Sequence, residues 1–469
     1  MAIASPPTAS GVDAPPPAAD AEPAFAPWPT DVRRLLSYVA IAFVLALALV
    51  GALTMTRGTP VEYVIARGDP HGAPAPGDSL FTRTMTLYTG VELHPGNRVE
   101  VLENGDATYP LLWRDIRSCE HAVTVQMYFA KPGAVADTMA AALGDCARRG
   151  ARVLLLLDGF GAQTLSRRWA DAVAHSGVEV AWLRQLRWYD LNTVAERSHA
   201  RVVVVDGRVG YTGGFGLADY WLGGGRRVNE WRETNVRFEG PAVAQLEATF
   251  ATTWAEATGE LLTGRTFYPG VSFRPAVGDS VTPAPGGVEA ALLHAVPSTG
   301  STVAERYYAL SIAGARKRLY ITNAYFIPDE DFRRLLISAA RRGVDVRVLT
   351  TGPNSDVKTA RWAGRYRYEE LLAGGVRIYE YQPSNMHAKT LAADGQWGSV
   401  GSMNFDNRSL AFNDETTLLV LDSAVVGRME RTFLDDLRYS REMTRAAMRT
   451  RPWWEKVRDG GAALLQRVL

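Results

Sequence analysis

Residues that usually announce a metal site or a disulfide framework are scarce in this 469-residue chain. There are two cysteines, Cys119 and Cys146, and seven histidines. Two cysteines are too few for a disulfide scaffold and lack metal-ligand spacing, so both are expected to be buried thiols. No H-E-x-x-H and no C-x-x-C occurs, and no metal or other cofactor is expected. An excess of one charge is missing too. Lys and Arg number 51 against 50 Asp and Glu, net +1, which leaves no global footprint for nucleic acid.

One long uncharged run stands out. Residues 1–30 are rich in Pro and Ala and read as a disordered tail. Leu35 to Met55 then runs 21 residues without a charge, enough to cross a bilayer as a helix. It lies too far from Met1 for a typical cleaved signal peptide, so residues 31–56 are expected to be a permanent single-pass anchor; a buried core helix is the alternative. Arg33 and Arg34 precede the run and Arg57 follows it. They give only a slight bias toward a body outside the cytoplasm. Residues 57–95 read as a tether.

From residue 96 the pattern becomes alternating strand and helix, the rhythm of a largely parallel, buried sheet. The rhythm repeats: Ala147-Arg148-Arg149-Gly150 corresponds to Ala340-Arg341-Arg342-Gly343, Tyr128-Phe129 to Tyr325-Phe326, and Glu233-Thr234 to Glu415-Thr416. The chain is read as an internal duplication. Its fold class is α/β, with one domain over 96–262, a linker over 263–288 and a second domain over 289–440. Residues 441–469 hold seven Lys/Arg, three Asp/Glu and Pro452-Trp453-Trp454. They suit an interfacial helix with its cationic face on lipid headgroups, or a helix packed on the protein.

Each half carries one version of the same motif. The second reads His387-Ala388-Lys389, Asp394-Gly395, then Gly401-Ser402-Met403-Asn404. On a strand His387 and Lys389 would share a face, and Asp394-Gly395 is a hairpin signal. The first reads His199-Ala200-Arg201, Asp206-Gly207, then Gly213-Gly214-Phe215-Gly216, with His-to-Asp and Asp-to-Gly spacings unchanged. The set offers two imidazoles, a cation from each half and several neutral donors. That composition suits phosphodiester exchange. One neutral imidazole attacks phosphorus, the other protonates the leaving oxygen, and Lys389 with Arg201 offsets the charge that builds on the non-bridging oxygens. Gly213, Gly214, Ser402 and Asn404 are candidates to bind the phosphate. Asp206 and Asp394 are candidates for chemistry or for shaping the hairpins. Glu233 and Glu415 are the candidates to hold the imidazoles in one tautomer.

The pattern H-x-K-x4-D-x6-G-S-x-N resembles the signature of the phospholipase D superfamily. From about Gly96 onward the chain is similar to its bacterial cardiolipin synthase branch, through Trp231-Arg232-Glu233-Thr234, Ala324-Tyr325-Phe326-Ile327-Pro328-Asp329 and Gly401-Ser402-Met403-Asn404-Phe405-Asp406-Asn407-Arg408-Ser409. The resemblance implies two duplicated α/β sandwich domains sharing one active site. It implies a reaction joining two phosphatidylglycerols into cardiolipin, with His199 as nucleophile and His387 as acid. It further implies a phospholipid partner and a bacterial cell-membrane location. Arg201 and Gly216 depart from the pattern, which has Lys and Asn there, and Gly214 in place of Ser removes a hydroxyl as Gly216 removes an amide donor. A phospholipase D-type hydrolase and a non-catalytic phospholipid-binding protein remain as alternatives. Tyr366 to Tyr381 could line a lipid-facing entrance or serve the core. Oligomeric state is not legible.

Overall fold

The computed structural model describes residues 30–55, 61, 63–64, 72–185, 197–269, 287–298 and 301–465. The tail before residue 30 and most of the 263–288 linker lie outside these. The chain forms two compact units, Met1–Met55 and Thr56–Leu469. In the first, a helix occupies Thr30–Met55. Among the described residues no helix is long and apolar enough to cross a membrane.

The second unit is built on a sheet of sixteen strands among the described residues. At its centre His94–Glu103 pairs antiparallel with Val288–Ala295. Outward from the first of these come Thr234–Glu239, Val209–Gly213, Val202–Val205, Ala122–Met127, Arg152–Asp158 and Glu179–Leu183. Outward from the second come Asn413–Leu421, Trp397–Gly401, Lys389–Ala393, Arg318–Asn323, Asp345–Thr351 and Arg377–Tyr381. The two orders are the same, strand for strand, so the duplication expected from the sequence is a duplication of topology. The outer strands of each half run parallel, as in Ala122–Met127 beside Arg152–Asp158. These two strands are buried on both faces, and Arg152–Asp158 therefore reads as a nearly unbroken apolar run.

Both hairpin turns form where Asp-Gly occurs. Asp206 and Gly207 have φ of 53° and 59°, Asp394 and Gly395 of 56° and 71°, the left-handed pair of a type I′ turn. Each aspartate then caps the start of a neighbouring strand. Asp206 accepts from the backbone N–H of Glu120, His121 and Ala122, and Asp394 from those of Arg316, Lys317 and Arg318.

Three expectations are corrected. The tether ends early: Ser79–Thr89 is a helix, with Asp78 accepting from Leu80 N at its start. Phe81 and Met85, one turn apart, are buried in the second half's core, where Phe81 meets Trp397 edge-on with centroids 5.1 Å apart. Residues 441–443 do not open a separate tail, because Ser440–Met443 is an edge strand on Arg377–Tyr381. Cys119 and Cys146 are buried, but they are joined as a disulfide, with Cα atoms 6.2 Å apart. The packing of helix Asn104–Arg117 against Ala134–Arg148 brings them within bonding range, and that proximity is invisible in a spacing of 27 residues.

Candidate active site

The motif histidines are not on the strands that the period-two reading assigns them. The second strand starts at Lys389, and the first starts at Val202, beyond Arg201. Each histidine instead follows a short bridge to the opposite half. Arg197–Ser198 pairs parallel with Asn413 and Asp414, immediately before Glu415. Arg232 bridges Met386, and His387 N donates to the Arg232 carbonyl at 2.8 Å, immediately before Glu233. The carboxylates therefore cross over. His199 Nδ1 lies 2.9 Å from both oxygens of Glu415, and His387 Nδ1 lies 2.5 Å from Glu233 Oε2. Each half supplies one imidazole and the carboxylate that orients the other half's imidazole. With Nδ1 held by a carboxylate, Nε2 is the nitrogen left for chemistry on each ring, and that of His387 lies 3.0 Å from Lys389 Nζ.

The two centres differ in charge. Burial, with Lys389 and Arg201 nearby, holds both imidazoles below their ordinary pKa, His199 far below. Burial pushes Glu415 up to about 7, against the pull of Ser402, whose Oγ donates to Glu415 Oε2 at 2.5 Å. Burial acts on Glu233 in the same sense, but Lys389 and His387 outweigh it and the carboxyl stays below its ordinary value. His199 is the ring held further below its ordinary value, whereas on His387 the Glu233 carboxylate partly offsets the lowering by burial and Lys389.

Lys389 Nζ stands 2.8 and 3.0 Å from the two ring nitrogens of His387. Burial lowers its pKa to about 8. Its cationic form, the one able to clamp a phosphate, is present below that value and lost above it. The rate is therefore expected to fall as pH rises through about 8. In Lys389→Arg the guanidinium does not deprotonate, and the alkaline fall should flatten even if the maximum is lower. A pH–rate profile of both proteins checks this, and an identical alkaline limb in the variant would remove Lys389 from that role. Arg201 is fully buried, its Nε donating to the Phe215 carbonyl at 3.2 Å and an Nη to the His199 carbonyl. Part of its fork is committed to the backbone that carries His199.

The glycines that depart from the pattern have a local reason. A Cβ on Gly214 would lie 2.4 Å from Glu233 Oε2, and one on Gly216 would lie 2.9 Å from the Trp221 ring. That space is filled by Trp221, whose Nε1 donates to Glu233 Oε2 at 3.2 Å. The indole supplies to Glu233 the hydrogen bond that Ser402 supplies to Glu415. The backbone N–H of Gly214 donates to Asn235 Oδ1 at 3.1 Å, so it is engaged within the protein. Asn404 is buried with its Oδ1 unpartnered.

Most of the candidates converge: His199, Glu415 and Ser402 form one hydrogen-bonded group and His387, Glu233 and Lys389 a second, close enough for their charges to act on each other, with Arg201 beside them. Asp206 and Asp394 do not join it. Their oxygens are taken by backbone amides at the far ends of the hairpins, so of their two possible roles they have the turn-shaping one. Sequence reading missed the aromatic wall. Trp221 and Trp231 stand 5.5 and 4.9 Å from the His387 ring, and Tyr128 stands 4.9 Å from the His199 ring. Tyr128-Phe129 and Trp231-Arg232-Glu233 were noted only as repeat or resemblance markers. Tyr128 directly follows the strand Ala122–Met127 and Trp231 stands three residues before Thr234–Glu239, and that position at strand ends is the available signal.

The family described as cardiolipin synthase, PLD-like domain matches residues 112–254 and 309–437. The chain is 32% identical over 393 residues to cardiolipin synthase A of Pseudomonas putida, covering 82% of this chain and 79% of that one. To the cardiolipin synthase of Geobacillus kaustophilus it is 30% identical over 389 residues, covering 82% and 76%. In fold it is similar to the crystal structure of phosphatidylserine synthase of Haemophilus influenzae, with a TM-score of 0.64, 11% identity, and 84% of this chain and 100% of that chain covered.

Proposed function

This chain belongs to the family of cardiolipin synthases with phospholipase D-like domains, and on that premise we propose that its shared site joins two phosphatidylglycerols into cardiolipin and glycerol. The single observation that carries the mechanism is the crossed pair of imidazole–carboxylate contacts, which brings both rings, each held at Nδ1, into one centre built from both halves.

His199 Nε2 attacks the phosphorus of the first phosphatidylglycerol. The bond from phosphorus to the headgroup glycerol oxygen breaks, and His387 gives that oxygen its proton. The terminal hydroxyl of a second phosphatidylglycerol headgroup then loses its proton to His387. Its oxygen attacks the phosphohistidine, the P–N bond breaks, and cardiolipin leaves. Lys389 and Arg201 offset the charge on the non-bridging oxygens in both steps. The difference between the two centres supports these roles, since His199 is held further toward the neutral ring a nucleophile needs and only His387 has a carboxylate that favours its cation against burial.

In this reading the membrane anchor rests on the sequence, the 21 uncharged residues from Leu35 to Met55. The Cys119–Cys146 disulfide is of a kind that persists in oxidising compartments, which supports a catalytic body outside the cytoplasm.

Incubation with phosphatidylglycerol vesicles, with products counted by mass spectrometry, tests the reaction. Cardiolipin and glycerol in equal amounts are expected. Phosphatidic acid as the main product would make the enzyme a hydrolase, and no product at all would leave a lipid-binding protein.

A further inference from the structure

The C-terminal helix Trp453–Ala463 is amphipathic the wrong way round for a soluble protein. Its inward face is ionic. Asp459 is fully buried, held by Arg451 and by Arg458 at 2.8 Å, with Arg365 at 3.8 Å. Glu455 faces Arg365 at 3.6 Å. Its outward face is apolar. Trp453 is 76% exposed, Trp454 52%, Val457 64%, and just beyond the helix Leu464 is 86% exposed. At 3.6 residues per turn these four fall within about 100° of the circumference, opposite Asp459. A helix that only needed to pack on the protein would bury the tryptophans and leave the carboxylates in water. Here the charges fix the helix to the body so that the apolar stripe is left outward.

We propose that this stripe docks on the surface of an anionic phospholipid bilayer and keeps the active site close to it. The choice of lipid as occupant rests on the function proposed above and on charge. Arg445, Arg449 and Lys456 are exposed and gather around Glu369, which pairs with Arg449 at 2.9 Å, so three cations against one carboxylate leave net positive charge for anionic headgroups. The tryptophans have the bilayer-interface preference of amphipathic rings. Tyr366, the one exposed tyrosine among Tyr366, Tyr368, Tyr379 and Tyr381, lies beside Gly460 and extends the patch. The helix also connects to the site. Ala462 is buried with Ile327 and Ala360, against Tyr325 and Val357. Tyr325 Oη donates to Asp356 at 2.6 Å, and the charge of Asp356 bears on both His387 and Lys389.

The test uses the full chain in vesicles of phosphatidylcholine and phosphatidylglycerol. The native cysteines are bonded to each other, so Val457→Cys can be labelled alone with an environment-sensitive fluorophore, and Arg168→Cys on an exposed helix of the first half serves as control. The label at position 457 is expected to shift to shorter wavelength and to be quenched by acyl-chain nitroxides, and the label at 168 is not. Quenching at 457 by aqueous iodide alone would overturn the proposal. So would a shift that follows protein density at fixed lipid composition, which would assign the stripe to a second copy. Neither readout needs turnover, so failure here is distinct from failure of the proposed reaction. Trp453→Ser/Trp454→Ser is expected to lose about tenfold or more in rate on vesicles while keeping its rate on dispersed short-chain phosphatidylglycerol. Equal loss on both substrates would give the tryptophans a purely structural part.

Discussion

Replacing either His199 or His387 by alanine is expected to lower cardiolipin formation by on the order of 10⁴-fold, because the mechanism takes one imidazole from each half. The two variants should fail differently. With phosphatidylglycerol, neither forms a phosphoenzyme at a useful rate. With a phosphatidyl ester of a good leaving group such as p-nitrophenol, the leaving oxygen needs no acid. His387→Ala should then release p-nitrophenol and accumulate phosphate on His199, where peptide mapping will find it. His199→Ala should do neither. A variant that keeps most of its rate would end the single shared site, and phosphate mapped to His387 would reverse the two roles.

Glu233→Gln is expected to cost on the order of 10²–10³ in rate, about 3–4 kcal/mol of transition-state stabilisation, and to do so through the other half's histidine. Glutamine keeps the shape but not the charge that lies 2.5 Å from His387 Nδ1 and stabilises the imidazolium. The loss should be largest with phosphatidylglycerol and small with the p-nitrophenyl ester, whose departure needs no proton. Trp221→Phe removes only the indole donor to Glu233. It should show the same selectivity at roughly a tenfold cost, the scale of one hydrogen bond to a charged group. A uniform loss on both substrates in either variant would mean that the fold, not the proton, had been disturbed.

Much of this architecture was legible because it is written in local patterns. The Asp206-Gly207 and Asp394-Gly395 turns, the apolar runs of the parallel strands and the fixed offsets between halves need only neighbouring residues. The motif residues His199, His387 and Lys389 were legible for the same reason. What escaped depends on contacts over long separations. The pairing of His199 with Glu415 spans 216 residues, and that of His387 with Glu233 spans 154. Two matched glutamates and two matched histidines allow a straight or a crossed assignment, and nothing in the sequence chooses between them. Short bridges across the halves, Ser198 on Asp414 and Arg232 on Met386, make the choice. Gly214 and Gly216 read as losses because the compensating indole lies several residues downstream on a 3₁₀ turn, Asp219–Trp221.

The crossed carboxylates also bear on ancestry. Residue i of one half meets residue j of the other, and j meets i, which is the contact rule of an isologous twofold interface between identical subunits. The chain has the logic of a homodimer whose partners were later joined end to end. In such a pair neither member could act alone, so a site requiring both copies precedes any fusion that binds them. After fusion the copies were free to diverge, and the charge difference between Glu233 and Glu415 is the form that divergence takes: two once-equivalent histidines now have unequal partners.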